Sequence, residues 1–364
     1  MELTAHLHRL VERENLTREA AEEAMQAILE GRARAAEIAA FLVALRMKGE
    51  TVDELVGFAR AMRRAAEPVD PGLEGEPLLD TCGTGGDARG TFNVSTLAAL
   101  VAAGAGVKVA KHGNRSISSR CGSADLLEAL GVRISMTAAD AARAIREVGI
   151  GFLFAPAIHT AMKHAQPVRL ELKMRTVFNL LGPLTNPAGA TAQLVGAASE
   201  EAAELMAGAL AGLGLERGLV VHGSDGADEI TTTGPTLAFE IAAGKITRRR
   251  LDPEDFGIEP AAPESLHGGD RDTNCRIARE ILAGAAGPAR DLVLVNAAAA
   301  LVVVGRARNF RQGVAIAAES INSGAARAKT EALARFSQQA ASGGERDSRG
   351  PAGAPAPRSE RASR

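Results

Sequence analysis

The chain contains no tryptophan and no tyrosine, and only ten phenylalanines. Its core must therefore be aliphatic, built from Ala, Leu, Val and Ile. The same lack removes the flat platforms on which single-strand nucleic-acid binders stack bases. Cysteine is equally sparse. Cys82, Cys121 and Cys275 are scattered and form neither a disulfide framework nor a zinc spacing, which fits a reducing cytoplasm. No charge sign dominates: 42 Lys and Arg face 44 Asp and Glu, a net charge of -2. A nucleic-acid footprint normally needs a basic domain, whereas a small anionic substrate needs only a few local cations. Long apolar runs are missing too. The stretch 97–109 is interrupted by glycine and falls short of the ~18–20 residues of a membrane span. The start, Met1-Glu2-Leu3-Thr4, lacks the basic segment and apolar run of a signal peptide. A soluble, cytoplasmic protein without membrane or nucleic-acid partners is expected.

At about 150 residues per domain, 364 residues suggest two. Residues 1–68 read as helices. Thr17 caps a helix that stops near Gly31, 35–47 has helical periodicity, and Thr51 with Glu54 forms a capping box. Pro68, Pro71 and Pro77 punctuate a linker. Beyond it, strand-like runs at 78–79, 107–110, 132–134 and 150–154 alternate with helical stretches at 96–103, 124–130 and 137–148. This alternation predicts a parallel sheet with crossover helices. Further strands are expected at 193–196, 218–221 and 237–241. A basic helix over 164–181 is expected to pack with the N-terminal helices. The expected fold class is α/β: a small all-helical domain (1–68, joined by helices from about 164–186) and a larger α/β domain (75–163 and 187–336). From 342 to 364, Gly, Ala, Pro, Ser and Arg prevail. Such a tail buries too little apolar surface to offset its ordering entropy, so disorder is expected there.

Four segments bear on chemistry. Asp80-Thr81-Cys82-Gly83-Thr84-Gly85-Gly86-Asp87 follows the first strand and precedes a helix near Ser95. Its glycines let backbone N–H groups approach an anion, and the helix offers its positive end. A tight structural turn would have the same composition. It lacks the Gly-Lys-Ser/Thr ending of an NTPase loop and departs from the dinucleotide spacing. A second strand delivers Lys111-His112-Gly113-Asn114-Arg115-Ser116-Ile117-Ser118-Ser119, a cationic, hydroxyl-rich loop. In a parallel sheet both loops open on the carboxyl edge, where ligands bind; His112 is read as orienting its loop. Asp228-Glu229 in a glycine-rich turn suits Mg²⁺, which takes hard oxygens from one or two carboxylates plus phosphates. Finally, Lys163, Arg169, Lys173 and Arg175 precede the rigid turn at 179–187. An arginine there could grip a substrate carboxylate with two prongs, or simply face solvent.

Together these motifs resemble the anthranilate phosphoribosyltransferases: GTGGD at 83–87, NVST at 93–96, KHGNR at 111–115, GSAD at 122–125, Pro-Val-Arg at 167–169, RTxFNLLGPLTNP at 175–187 and Asp228-Glu229. The resemblance spans Leu3 to about Phe336, with no departure at these positions. It implies a helical and an α/β domain of the nucleoside phosphorylase/phosphoribosyltransferase type, usually homodimeric. It also implies a cleft for phosphoribosyl pyrophosphate and Mg²⁺. Gly83, Gly86, Asp87, Thr91, Asn93, Val94, Ser95 and Thr96 would contact the donor. Lys111, His112, Gly113, Asn114, Arg115, Ser116, Ile117, Ser118, Ser119 and Ser123 would complete its site. Ser95, Asp228 and Glu229 would bind the metal. Gly83, Asn114, His159 and Arg169 would surround anthranilate. No general base is expected, only electrostatic help from Lys111 and Arg115. A pyrimidine nucleoside phosphorylase shares this fold, but Asp228-Glu229 and Arg169 in its motif argue against that activity. A non-catalytic nucleic-acid-binding relative would need a basic surface that the balanced charge does not supply.

Overall fold

A computed structural model of the chain describes residues 2–85, 90–116 and 120–347, the last seven through their backbone alone. Gly86, Asp87, Ile117, Ser118, Ser119 and the tail beyond 347 lie outside the described residues.

Four helices open the chain: α1 (Leu3–Val11), α2 (Arg18–Leu29), α3 (Ala35–Lys48) and α4 (Val52–Ala65). Thr17 caps α2 by accepting the Ala20 amide, and Thr51 and Glu54 form the reciprocal box at α4. Glu54 does more than cap. Fully buried, it accepts the amides of Leu16 and Thr51, both at 2.9 Å, and the Lys48 ammonium at 3.0 Å. One carboxylate thus ties the α1–α2 loop and the end of α3 to the start of α4.

The described residues beyond the linker form one seven-stranded sheet in the order β3-β2-β1-β4-β5-β6-β7. Its strands are β1 (Leu78–Gly83), β2 (Lys108–Gly113), β3 (Ile150–Phe154), β4 (Ala192–Gly196), β5 (Arg217–Gly223), β6 (Thr236–Ala242) and β7 (Lys245–Leu251). The first five run parallel, and β6 and β7 return as an antiparallel meander. Period-2 alternation sends successive side chains to opposite faces. Leu79, Val109, Leu194, Leu219 and Val221 join one core. Helices α5 (Val94–Gly104), α12 (Arg271–Leu282), α13 (Pro288–Val303) and α14 (Phe310–Asn322) contribute to it. Val195, Val220, Phe239 and Ile241 face the other way, into a core shared with α11 (Glu200–Gly212) and the N-terminal helices. Leu78, Ala110 and Leu153 meet α7 (Ala138–Glu147) on that same side.

Two sequence expectations are corrected, and one strand is added. The run 132–134 is not a strand: Val132 and Ile134 are buried in the core while the Arg133 amide bonds Ser337 Oγ at 2.9 Å. The basic stretch 164–181 is not one helix. It divides into α9 (Gln166–Leu172) and α10 (Phe178–Leu181), because Lys173 turns left-handed at φ 47° and closes α9. A one-turn α8 (Ala155–Ile158) precedes them. Ala165, Val168, Val177, Phe178 and Leu181 pack with the N-terminal helices. Strand β7 went unread because Lys245, Thr247, Arg248, Arg249 and Arg250 leave no apolar alternation; it is a charged sheet edge. Ala243 and Gly244, both at positive φ, make the two-residue hairpin turn into it. At the C-terminus, α15 (Ala325–Asp347) runs past the change of composition at Ser342. No helix among the described residues is long and apolar enough to cross a membrane.

Removing Glu54 would strand a buried ammonium and two amides. Glu54→Ala should destabilise the protein by about 3–5 kcal/mol, read from urea unfolding. A loss below about 1 kcal/mol would show that the junction does not depend on it.

Candidate active site

The chain steps from β1 to β2 and β3 on one side, then returns to place β4 and β5 on the other. The order therefore reverses between β1 and β4, where ligands bind beyond the carboxyl ends of parallel strands. Both strands end there in glycine, and Gly83 and Gly196 are register partners. The loop carrying Asp228 and Glu229 is laid across them. A Cβ on Gly196 would stand 1.6 Å from the Asp228 carbonyl oxygen, and one on Gly83 would stand 2.6 Å from Asp228 Oδ2. Gly196 tolerates no side chain while that loop is seated, and one at Gly83 would push the Asp228 carboxylate aside.

The same two carboxylates hold the surrounding backbone. The Gly85 amide donates to Asp228 Oδ2 at 2.9 Å, and the Ser95 amide, in the first turn of α5, donates to Glu229 Oε1 at 3.1 Å. Glu229 thus sits at the positive end of a helix, which favours negative charge. The Thr81 hydroxyl donates to the Ser95 carbonyl at 2.8 Å, tying α5 to β1. Thr96 Oγ1, one residue on, is buried without a hydrogen-bond partner among the described residues. The carboxylate loop is braced from behind. Asp225 accepts the Ala227 amide and the hydroxyls of Thr231 and Thr233. Asn296 of α13 accepts the Ile230 amide at 3.0 Å and donates to its carbonyl at 2.9 Å.

Beneath the crevice lies a buried polar cluster. Asp80 accepts the His112 amide at 3.2 Å and the Asn186 amide group at 2.8 Å, and Asn186 also donates to the Ala110 carbonyl. Burial pushes the Asp80 carboxyl up, while the Lys111 ammonium and these donors oppose the rise. Lys111 is itself only 2% exposed and donates to the Thr81 carbonyl at 2.5 Å. Burial also raises the Cys82 thiol well above its ordinary range, which keeps it protonated. His112 Nδ1 lies 3.1 Å from the Gly182 carbonyl, so that nitrogen carries the proton. Its Nε2 then accepts from His159 Nε2 at 3.3 Å. Both ring nitrogens of His112 are occupied, which matches an orienting role.

The remaining expected residues divide. Ser123 Oγ accepts the Asn114 amide and donates to the Asn114 carbonyl, both at 3.2 Å, while Asn114 Oδ1 takes the Arg115 amide. Asn93 is enclosed: its side chain donates to the Cys121 carbonyl and accepts from Asn274. Thr91 bridges to His267, and Val94 is buried. Arg115 is not turned to the crevice as free charge. Its guanidinium bonds Asp125 at 2.8 Å and Glu128 at 2.7 Å, fastening the loop to α6 (Ser123–Ala129). The electrostatic help expected of Arg115 is therefore neutralised in this conformation. Arg169 stands in contrast. It lies 5.0 Å over the Phe178 ring, touches only Gln166 at 3.4 Å, and forms no ion pair among the described residues. Its burial lowers its pKa, a sign that the cation is poorly solvated. Arg175 reaches the glycine loop directly, donating to the Gly85 carbonyl at 2.8 Å. Lys163, Arg169, Lys173 and Arg175 thus do not share a helix.

Sequence reasoning missed Asp80 as a buried anchor, and Asn186 and Asn296 as clamps. Each carried a signal, a lone polar residue inside an apolar strand, a Pro-flanked turn or an apolar helix.

The sequence matches the helical bundle domain of the glycosyl transferase family over residues 4–66 and its a/b domain over 75–327. An anthranilate phosphoribosyltransferase of Solibacter usitatus is 69% identical over 336 residues, covering 92% of this chain and 99% of that protein. The crystal structure of anthranilate phosphoribosyltransferase from Thermus thermophilus superposes with a TM-score of 0.86 at 46% identity, covering 93% of this chain and all of that one. The chain belongs to the anthranilate phosphoribosyltransferase family. The Saccharomyces cerevisiae anthranilate phosphoribosyltransferase in complex with PRPP and Mg has a TM-score of 0.85 at 29% identity, covering 93% of this chain and 98% of that one. For a member of this family the carboxylate loop suits a hard cation. Among the described residues no three His, Cys, Asp or Glu converge. A divalent ion at Asp228 and Glu229 would therefore draw further oxygens from phosphate and water, the habit of Mg²⁺.

Burial lowers His112 to about 4 and His159 to about 3. Unfolded imidazoles titrate near 6.5, so between about 6.5 and 4 the unfolded chain binds more protons than the folded one. The stabilisation is complete above about 6.5 and is lost as pH falls towards 4, by at most about 1.4 kcal/mol per pH unit per imidazole. In urea unfolding, His159→Gln should flatten the fall in stability between pH 6.5 and 4.5. Parallel profiles for the variant and the parent would contradict the neutral burial of this pair.

Proposed function

We propose that the protein transfers the phosphoribosyl group of 5-phosphoribosyl 1-pyrophosphate to the amine of anthranilate. The products are N-(5-phosphoribosyl)anthranilate and pyrophosphate, the second step of tryptophan synthesis from chorismate. The observation that carries this reading is the convergence of glycine loop, α5 N-terminus and paired carboxylates at one switch point. Arg169, over the Phe178 ring, has no carboxylate partner among the described residues.

Breaking the anomeric bond develops oxocarbenium character, as in glycoside transfer. The attacking amine is neutral and already nucleophilic, so no strong base is needed; the neutral His112–His159 pair is consistent with that. The chief task is to bind the leaving pyrophosphate and exclude water. Gly83, Gly86, Asp87, Thr91, Asn93, Val94, Ser95 and Thr96 form one side of the donor site, offering backbone amides and the end of α5. Lys111 to Ser119 and Ser123 form the other. Lys111 acts from below, its charge raising the potential at the ends of β1 and β2. Arg115 contributes charge only if the donor displaces Asp125 or Glu128. Mg²⁺ is the cofactor, and Asp228, Glu229 and Ser95 would hold it where positive charge stabilises the departing pyrophosphate. Arg169 takes the anthranilate carboxylate through a two-pronged hydrogen bond, with Gly83, Asn114 and His159 around the ring, so that the amine is aimed at the sugar carbon.

In this reading the helical unit is 1–68 with helices from about 164–186, and the donor-binding unit is 75–163 with 187–336. The protein works in the cytoplasm as a homodimer. Val11, Met47, Leu170 and Met174, 42–71% exposed, all lie in the helical unit and would be covered in a dimer. Sedimentation at micromolar concentration should give one species of twice the chain mass, and a monomer would refute the dimer. With donor and Mg²⁺, the parent protein should extinguish anthranilate fluorescence. Arg169→Ala should lose about 2–5 kcal/mol of transition-state binding in kcat/KM. No donor-dependent signal from the parent would sink the activity, and unchanged kinetics in the variant would misplace the carboxylate.

A further inference from the structure

On the opposite edge of the sheet, where β5 begins, a groove of about 1050 Å³ opens between β5, β6, β7 and the α13–α14 loop. Five arginines line it: Arg217, Arg249, Arg250, Arg308 and Arg311. Two are neutralised, Arg249 by Glu240 at 2.6 Å and Arg250 by Asp252 at 2.9 Å. The other three have no carboxylate partner among the described residues. Arg311 donates only to the Glu254 carbonyl, at 2.5 Å. Arg217 crosses from β5 to the facing loop, its Nη1 only 2.7 Å from where a Gly305 Cβ would stand. The chain therefore carries one guanidinium towards a loop, 305–311, that brings Arg308 and Arg311 to the same groove. Two acids, Glu240 and Asp255, also line the groove, so its five guanidiniums remain in excess; their mutual repulsion is lowered by an anion supplied from outside.

Other features fit an anion. Helix α14, thirteen residues long, opens into the groove at Phe310 with Asn309 as its cap, so its positive end adds to the field. The walls are not purely polar. Leu219, Ile241 and Phe310 line them, and Phe310 is fixed by stacking on Phe256 with centroids 4.6 Å apart. The volume is at the upper end for small-molecule sites. Donor chemistry cannot account for the groove, because the ends of β1 and β4 that hold the glycine loop face the other way.

We infer that this groove is a second anion site, taking a multivalent oxyanion on a small organic body. Guanidinium forks recognise phosphate and carboxylate alike, so the occupant is either a phosphorylated metabolite or a polycarboxylate. Tripolyphosphate and citrate are the probes, titrated calorimetrically into the full chain whose donor site is saturated with phosphoribosyl pyrophosphate, with Mg²⁺ in matched excess in cell and syringe so that chelation by the probe neither adds heat nor empties that site. One equivalent of at least one probe should still bind. Binding of tripolyphosphate alone points to a phosphorylated occupant, and binding of citrate to a polycarboxylate. Arg217→Gln/Arg308→Gln should weaken that binding at least tenfold while leaving kcat and KM for transfer unchanged. Should the double variant fold poorly by thermal melting, Arg308→Gln alone, on an exposed loop, should weaken it at least threefold. The inference is overturned if neither probe binds once the donor site is filled, or if the variants bind as tightly as the parent.

Discussion

The site depends on one close approach. Asp228 rests on two strand ends that carry no side chain, with its backbone over Gly196 and its carboxylate beside Gly83. Because the two glycines are register partners at the switch point, a single loop covers both strands at once. That contact puts two carboxylates next to the glycine loop and the first turn of α5. Everything placed behind the loop serves to keep it seated. Asp225 closes it upon itself, and Asn296 grips Ile230 from a helix otherwise lined with Val, Leu and Ala. A carboxylate loop held this firmly can present negative charge to a metal without rearranging.

Below the crevice the balance is electrostatic. Asp80 and Lys111 are both buried, and each would be costly alone. Their hydrogen bonds reach three segments: the Thr81 carbonyl on β1, the His112 amide on β2 and Asn186 in the Pro-flanked turn. The two histidines extend this network towards α8 and Gly182 while staying neutral. Lys111 and Asp80 thus offset each other below the strand ends, while Arg169 meets no carboxylate among the described residues.

Much of this was legible in one dimension. The capping residues Thr17, Thr51 and Thr137 placed helix starts because a hydroxyl satisfying an end amide is a local event. Buried strands showed as short apolar runs bounded by turns, and the ordered motifs at 83–87, 93–96, 111–115 and 228–229 carried the family resemblance. The failures were also physical. Strand β7 is mostly charged, with Leu251 its one buried residue, so its hairpin partner β6 is what makes it a strand. The stretch 164–181 kept helical composition, yet a left-handed Lys173 ended its helix, and no propensity announces that.

By itself, then, the sequence determined the chemistry on offer: which loops carry glycine, cation or carboxylate, and which segments bury an aliphatic face. Those properties live within a few residues of chain. Only the tertiary structure decided which of these groups meet. It set Asp228 against Gly83 across 145 positions of chain, buried Lys111 below the crevice, and turned Arg115 away to Asp125 and Glu128. It also gathered Arg217 and Arg308 around a groove that no motif marks. Such pairings depend on strand order and register, which arise from packing of the whole sheet and leave no trace in local sequence.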